Sequence, residues 1–584
     1  MAGPSTIRLV GVAILVVGVA VGAVVLLLPS VRAGTVSVDR PDASELLEPG
    51  NARAVVGRAA WVVAENRKPG TTDWHITGPI NNNNIEGYAD TTSAVQGQRV
   101  RLYVSTDAPT YRVEAYRIGW YGGAQARLVW RSQTLPGVRQ APAQVAYQTN
   151  MVEAPWSPSL TVTPDRSWPP GNYLLKLVGS NGFAQYVPLT VRDDSSKAAL
   201  VVLNAVTTWQ AYNRWGGHSL YEGFDGYGGF SGAGRAVVVS FDRPYENDSG
   251  AGDYLGNEVP MVSFLEKEGF DVTYWTDVDL HHRGDRLNDH RALLTLGHDE
   301  YWTLEMRDAV ERARDRGLNV AFFGANAVYR AIRLEPSSLG PSRRQVNYRS
   351  TRDPLYGIDN SRVTVSWREP PLNRPESTLV GNYYECNPVE ADMVITDPSA
   401  WVFAGTNVVA GERIPRLIGP EYDRYNPAAP QPPGPVRVLA HSPLRCGGKA
   451  SFSDMTYYST PSGAGVFATG TNWWISRLGP PCPPPDICHD ERVVRVTRNV
   501  VEAFAAGPAG LEHPSASSSD ARAPNGGLPP AMTTTLPPPR AASTTTTVPR
   551  RTTTTRRPVT VTTTTTTVPM DASPFGPPVT FPWP

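Results

Sequence analysis

The stretch 293–301, LLTLGHDEY, constrains this chain more than any other. Its apolar run ends at Gly297 and then delivers His298, Asp299 and Glu300 side by side. A continuous apolar run with a helix pattern close behind it reads as a buried parallel strand, because such strands are covered on both faces. Polar side chains at the C-terminal tip of a strand in an open α/β sheet stand where such sheets bind ligands. The plainer alternative is that His298 and its neighbours cap the next helix and bond local backbone.

The same grammar recurs around it. Residues 198–206 (AALVVLNAV) form another buried-strand run, leading into TTWQAYNRWGGHSLY at 207–221. Residues 258–268 have helical spacing, with Pro260 in the first turn and Gly269 as the stop. A strand over 270–275 ends near Asp277 and Asp279. Thr303 is expected to cap a helix whose buried face is Met306, Ala309, Val310 and Ala313, closed by Gly317. LNVAFFG at 318–324 is a further buried strand, tipped by Asn326. Repeated strand–helix–strand units imply right-handed crossovers and a doubly wound parallel sheet. Upstream, 61–192 reads as all-β. RVRLYVS at 99–105 and YRVEAYRI at 111–118 alternate, and GNYLLKLV at 171–178 pairs with 185–191 as a hairpin. That pattern is expected to give an Ig-like β-sandwich. Residues 343–445 carry no clear period and are expected to add strands over the sheet. A strand and turn at 465–474 and a helix at 491–505 return to it.

At 584 residues the chain exceeds one ordinary core. Its formal net charge of zero gives no electrostatic case for nucleic acid or an acidic surface as partner. Residues 9–28 are almost continuously apolar behind Arg8, enough at about 1.5 Å per residue to cross a hydrocarbon core of roughly 30 Å. Val31-Arg32-Ala33 is an imperfect cleavage site, so a signal peptide and a retained single-pass anchor both stay open. The expected location is the cell membrane, with the bulk extracytoplasmic, or outside the cell. Beyond Ala506 the Pro, Ser and Thr content rises sharply, and a disordered, glycosylable tail is expected. The expected divisions are therefore 1–33 (signal or anchor), 34–60 (linker), 61–195 (sandwich), 196–506 (α/β) and 507–584 (tail). The four cysteines fit no zinc-ligand spacing. In an exported chain they are expected as Cys386–Cys446 and Cys482–Cys488, the second pair on proximity.

Standard nucleophile and phosphate signatures are missing: there is no GxSxG, HExxH, Walker loop or complete GxGxxG. What remains is a set of strand tips on one edge: Tyr212, Asp277, Asp279, His298, Glu300 and Asn326. Glu300 suits a metal ligand or general base, and His298 suits acid/base work near neutral pH. A tyrosine phenolate is a hard anionic donor suited to ferric iron, although packing is the ordinary role of any single Tyr.

TWQAYNRWGGHSLY at 208–221, FDRPY at 241–245, GHDEYWTLEMRD at 297–308, FFGANAVYR at 322–330 and IGWYGGAQAR at 118–127 resemble the large subunit of bacterial N,N-dimethylformamidase and its relatives. The resemblance spans roughly 61–505. It implies a glutamine-amidotransferase-like α/β domain beside a β-sandwich, and hydrolysis of a small-molecule amide; the known enzyme is cytoplasmic and works with a small partner subunit, whereas this chain reads as exported. It also implies one Fe(III) held by two tyrosinates and a carboxylate. Carried over, Glu300 matches the carboxylate ligand, and His298 and Asn326 match pocket residues. Tyr212 is the first tyrosine; Tyr221 ranks ahead of Tyr173, Tyr245 and Tyr254 for the second. Glu421, in LIGPEYDR, matches a further acidic pocket residue. A homo-oligomer is compatible with this reading. The rival expectation is a cell-surface protein that kept the fold and binds carbohydrate or wall polymer through aromatics such as Trp120 and Tyr121.

Overall fold

The computed structural model describes residues 57–516, apart from 80, 82, 226–228 and 483–486. The apolar segment at 9–28 and the Thr/Pro-rich tail lie outside the described residues. Among the described residues no helix is long and apolar enough to cross a membrane. The chain is a mixed α/β protein with many strands in several sheets.

After helix α1 (Ala60–Asn66), the first large sheet is built on β1 (Thr110–Ile118), β2 (Gly171–Gly179) and β3 (Ala184–Arg192). β2 runs antiparallel between the other two, pairing Leu175 with Ala115 and Val187. Val113, Ala115, Leu175, Leu177, Val187 and Leu189 point into a core shared with neighbouring short strands. Alternation predicts a wet opposite face. Instead Tyr116, Ile118, Leu174 and Tyr186 are buried there in the core of the second sheet. Aromatic and aliphatic side chains on both faces leave neither one fit for solvent.

The second sheet explains the long apolar runs. Its strands are β4 (Leu200–Asn204), then β5 (Val272–Thr276), β6 (Ala292–Gly297) and β8 (Asn319–Gly324), with β7 (Tyr301–Thr303) standing outside it. Helix α2 (Val206–Tyr212) follows β4, and α3 (Val259–Lys267) precedes β5. Helix α4 (Asp277–Arg283) follows β5, and α5 (Leu304–Arg314) follows β7. Two further strands, β9 (Tyr383–Cys386) and β10 (Tyr422–Arg424), pair with each other. A long hairpin, β11 (Arg437–Cys446) with β12 (Lys449–Ser459), then β13 (Gly465–Ala468), completes the sheet in the order β5-β4-β6-β8-β13-β12-β11. The first five strands are parallel; β12 runs antiparallel to β13, and β11 runs antiparallel to β12. Leu200 and Val202 face one core while Val201 and Leu203 face the other. Two covered faces require apolar residues at consecutive positions, which is what the run at 198–206 supplies.

Helix α5 begins as expected. The Thr303 hydroxyl accepts from the Met306 N–H at 3.2 Å, and Met306, Ala309, Val310 and Ala313 are buried. Helix α6 (Glu491–Ala506) packs into the other core, the one that Leu200 and Val202 face. Both disulfides take the expected pairings, Cys386–Cys446 and Cys482–Cys488.

Candidate active site

Three parallel strands deliver their C-terminal ends to one edge, and the edge holds the polar cluster. β6 and β8 reach it together: Gly297 pairs with Gly324, and a Cβ on Gly324 would sit 1.5 Å from the Gly297 carbonyl oxygen. Only glycine permits that approach, so the tips deliver His298–Glu300 and Asn326 side by side. β4 leads into α2, which ends at Tyr212. The Glu300 N–H donates to the Thr208 hydroxyl of α2 at 3.0 Å, tying the two segments.

Glu300 is the hub, with 1% of its surface exposed. Its Oε2 accepts from the Tyr212 hydroxyl at 3.0 Å and from the Tyr221 hydroxyl at 2.7 Å. The two phenol rings stack at 4.3 Å. Burial, and then the Glu300 charge, hold both phenols well above the usual tyrosine range. Cations flank the cluster. Arg330 Nε lies 3.5 Å from Glu300 Oε1, and the Arg349 guanidinium lies 4.1 Å from the Tyr221 ring centre. Arg349 also donates to the Tyr301 hydroxyl, which donates to that of Tyr221, both at 2.7 Å.

His298 joins this cluster to a second carboxylate. Its Nε2 stands 3.1 Å from Glu421 Oε2 and 3.5 Å from Glu300 Oε2. Burial alone would lower the imidazole pKa, but Glu421, then Glu300, more than offset it and raise it to about 9. Both carboxylates thus favour the imidazolium form of His298, and Glu421, despite its burial, is held below the usual carboxylate range by that charge. Asn326 Nδ2 lies 3.3 Å from His298 Nε2, while its buried Oδ1 has no partner. Both Asn326 and Val328 adopt positive φ, 55° and 54°. That conformation is costly for a β-branched residue and is the kind of strain that folds retain at working sites.

All six residues singled out on resemblance are thus neighbours: Tyr212, Tyr221, His298, Glu300, Asn326 and Glu421. Asp277 and Asp279 are not among them. They open α4, where Asp279 forms a reciprocal cap with Thr276 and an ion pair with Arg192, and Asp277 accepts from Thr207. Carboxylates are favoured at a helix N-terminus, and that local use wins. Tyr173, Tyr245 and Tyr254 line a separate cavity of about 40 Å³ between the first sheet and the second, so Tyr221 alone of the competing tyrosines reaches Glu300. Arg330 and Tyr301 lay unremarked inside the quoted motifs. Arg349, and Asn387, whose Nδ2 donates to Glu421 Oε1 at 2.8 Å, had no sequence signal at all. Among the described residues no group of three or more His, Cys, Asp or Glu is arranged to hold a metal.

Half-buried Tyr212, Tyr221 and His298 gathered around the buried carboxylates Glu300 and Glu421, at the C-terminal edge of the parallel strands, define an α/β protein with one polar site at that edge. The family described as N,N-dimethylformamidase beta subunit-like, C-terminal, matches residues 112–506, and this chain belongs to it. The N,N-dimethylformamidase beta subunits of Paracoccus aminophilus and of an Alcaligenes species are each 25% identical to it over 293 residues, 43% of this chain. That stretch spans 37% of the length of those relatives. A solved Paenibacillus sp. cycloisomaltooligosaccharide glucanotransferase, complexed with cycloisomaltoheptaose, aligns over 67% of this chain and 69% of its own. Its TM-score of 0.15 and 9% identity carry no argument.

Proposed function

We propose that the chain is an exported, iron-dependent hydrolase of amide C–N bonds. In this reading residues 196–506 are a doubly wound, glutamine-amidotransferase-like unit and residues 61–195 an Ig-like sandwich. The observation that carries it is the convergence of two phenol oxygens on one oxygen of Glu300, at 3.0 and 2.7 Å. Three hard oxygen donors so close together suit a small, highly charged cation. Tyr212, Tyr221 and Glu300 are the residues that would hold Fe(III). Ferric iron bound there supplies Lewis acidity, polarising a carbonyl and lowering the pKa of a bound water.

The chain's own groups do the rest. His298, charged and paired with Glu421, is set to give a proton to the departing amine nitrogen and to recover one afterwards. Asn326 presents its amide beside the imidazole and orients the substrate carbonyl. Arg330 and Arg349 balance the negative charge gathered around Glu300. Glu300, Asn326 and Glu421 are buried and Tyr212, Tyr221 and His298 half-buried beside them, which limits the access of bulk water to these groups. The two disulfides support folding in an oxidising compartment, as a membrane-anchored or secreted protein. A homo-oligomeric state belongs to the same proposal.

The wall-binding alternative is not favoured. Tyr121 is 3% exposed, and its hydroxyl is engaged by Glu65 and Arg117. Trp120 is half-buried beneath the Lys267 ammonium. The test is metal reconstitution of the purified chain. One iron per chain, a visible phenolate-to-iron band and hydrolysis of a small amide such as N,N-dimethylformamide are expected. Protein that stays colourless, metal-free and inert toward amides overturns the reading.

A further inference from the structure

Glu421 can serve His298 only if its carboxylate is held at the right angle, and the hold comes from outside the parallel strands. Asn387 Nδ2 donates to Glu421 Oε1 at 2.8 Å, which turns Oε2 toward His298 at 3.1 Å. Asn472 Nδ2 touches Oε2 at 3.4 Å, a long and weak contact, so Asn387 is the main anchor. Asn387 follows directly on β9, whose pairing with β10 sets Cys386 opposite Tyr422 and therefore Asn387 beside Glu421. A two-stranded sheet has little stability of its own. Here it is fastened covalently: Cys386 is bonded to Cys446, the last residue of β11 at the rim of the seven-stranded sheet. The same strand carries Tyr384, whose ring lies 5.1 Å from that of Tyr329. Burial, and then the charges of Glu421 and Glu300, push the Tyr384 phenol upward, in keeping with its place against the cluster.

We propose that Asn387 is a positioning residue that orients Glu421 toward His298, and that the Cys386–Cys446 disulfide holds the strand from which it does so. The catalytic consequence rests on the amide-hydrolase reading; the positional claim does not. The second disulfide provides a built-in control. Cys482–Cys488 has a sequence separation of only 6 and lies ahead of α6, and neither cysteine belongs to β9 or β10.

The experiment uses the full chain with four changes: Asn387→Ala, Asn387→Asp, the pair Cys386→Ser with Cys446→Ser, and the pair Cys482→Ser with Cys488→Ser. Steady-state rates with N,N-dimethylformamide, the visible iron band and crystal structures are read together. Both Asn387 variants are expected to lose about 10- to 100-fold in kcat, the scale of a hydrogen bond to a charged group, with KM nearly unchanged. Their iron band should persist, and Glu421 should swing away from His298 in the crystals. Asn387→Asp keeps the volume of the side chain, so it decides the matter if the alanine variant does not fold. The Cys386/Cys446 pair should show the same loss and displacement, and the Cys482/Cys488 pair neither. Wild-type kcat, or Glu421 still 3.1 Å from His298 in the Asn387 variants, overturns the positioning role. Unchanged kcat and geometry in the Cys386/Cys446 pair overturns the tether. If the wild-type chain hydrolyses no amide, the function fails as proposed, and the Glu421 position in the variant crystals still decides this inference.

Discussion

Glu300 accepts two phenol hydroxyls on one oxygen and faces an arginine with the other, which separates the roles of its neighbours cleanly. Glu300→Ala should release iron and abolish colour, because two tyrosines alone leave too few donors. His298→Ala should keep iron and colour yet lose about 10²- to 10⁴-fold in rate, the usual worth of a general acid–base group. Tyr212→Phe and Tyr221→Phe delete one oxygen each and keep the ring stack; full iron retention in either would remove that residue from the proposed ligand set. These roles were legible because Glu300 and His298 sit at the end of an apolar run that a reader notices. Asn387 and Arg349 were not, since each reaches the cluster from a segment without periodicity. Asp277 and Asp279 misled because a strand tip and a helix N-terminus coincide there, and an acid suits either place.

At the level of elements, the paired tips of β6 and β8 are the feature most exposed to test. Gly324→Ala would thrust a methyl group into the Gly297 carbonyl, and no rotamer change can relieve a clash between backbone and Cβ. A loss of about 3 kcal/mol or more is expected, read as a lowered midpoint in denaturant with an unchanged m-value. Thr303→Ala, which removes the cap of α5 and the hydroxyl's contact with His281 Nδ1 at 2.9 Å, should cost about 1–2 kcal/mol. The buried parallel strands announce themselves because both faces need apolar residues. β12 does not: Ser453, Asp454 and Thr456 are all buried in it, and Ser453 and Asp454 bond to Gly470 and Tyr425, partners the sequence cannot reveal. Hence the hairpin of β11 and β12 went unread although it completes the sheet.

Across the whole molecule, the first sheet is bolted to α3, the helix packed on the second sheet, by an ion pair with no exposed surface. Arg117 meets Glu266 through both nitrogens, at 2.7 and 2.6 Å, and Tyr274 and Asn66 complete the shell of Glu266. Glu266→Ala would leave the Arg117 charge buried without a counterion, at an expected cost of about 3–5 kcal/mol. Replacing both partners with Met should cost less than either single change, which a double-mutant cycle by calorimetry would measure. The strand order of the second sheet also bears on synthesis. β8 pairs on one side with β13, and the Asn326 N–H takes its acceptor from Asp423, 97 residues further on. A nascent chain that has made His298 and Glu300 therefore still lacks the strand that will cover the outer edge of β8. Long-range parallel pairing is slow, and an open edge is a template for wrong partners. Ribosomal order and assembly order run against each other here: the residues at the heart of the site emerge early and must wait, unpaired on one side, for the C-terminal third of the fold.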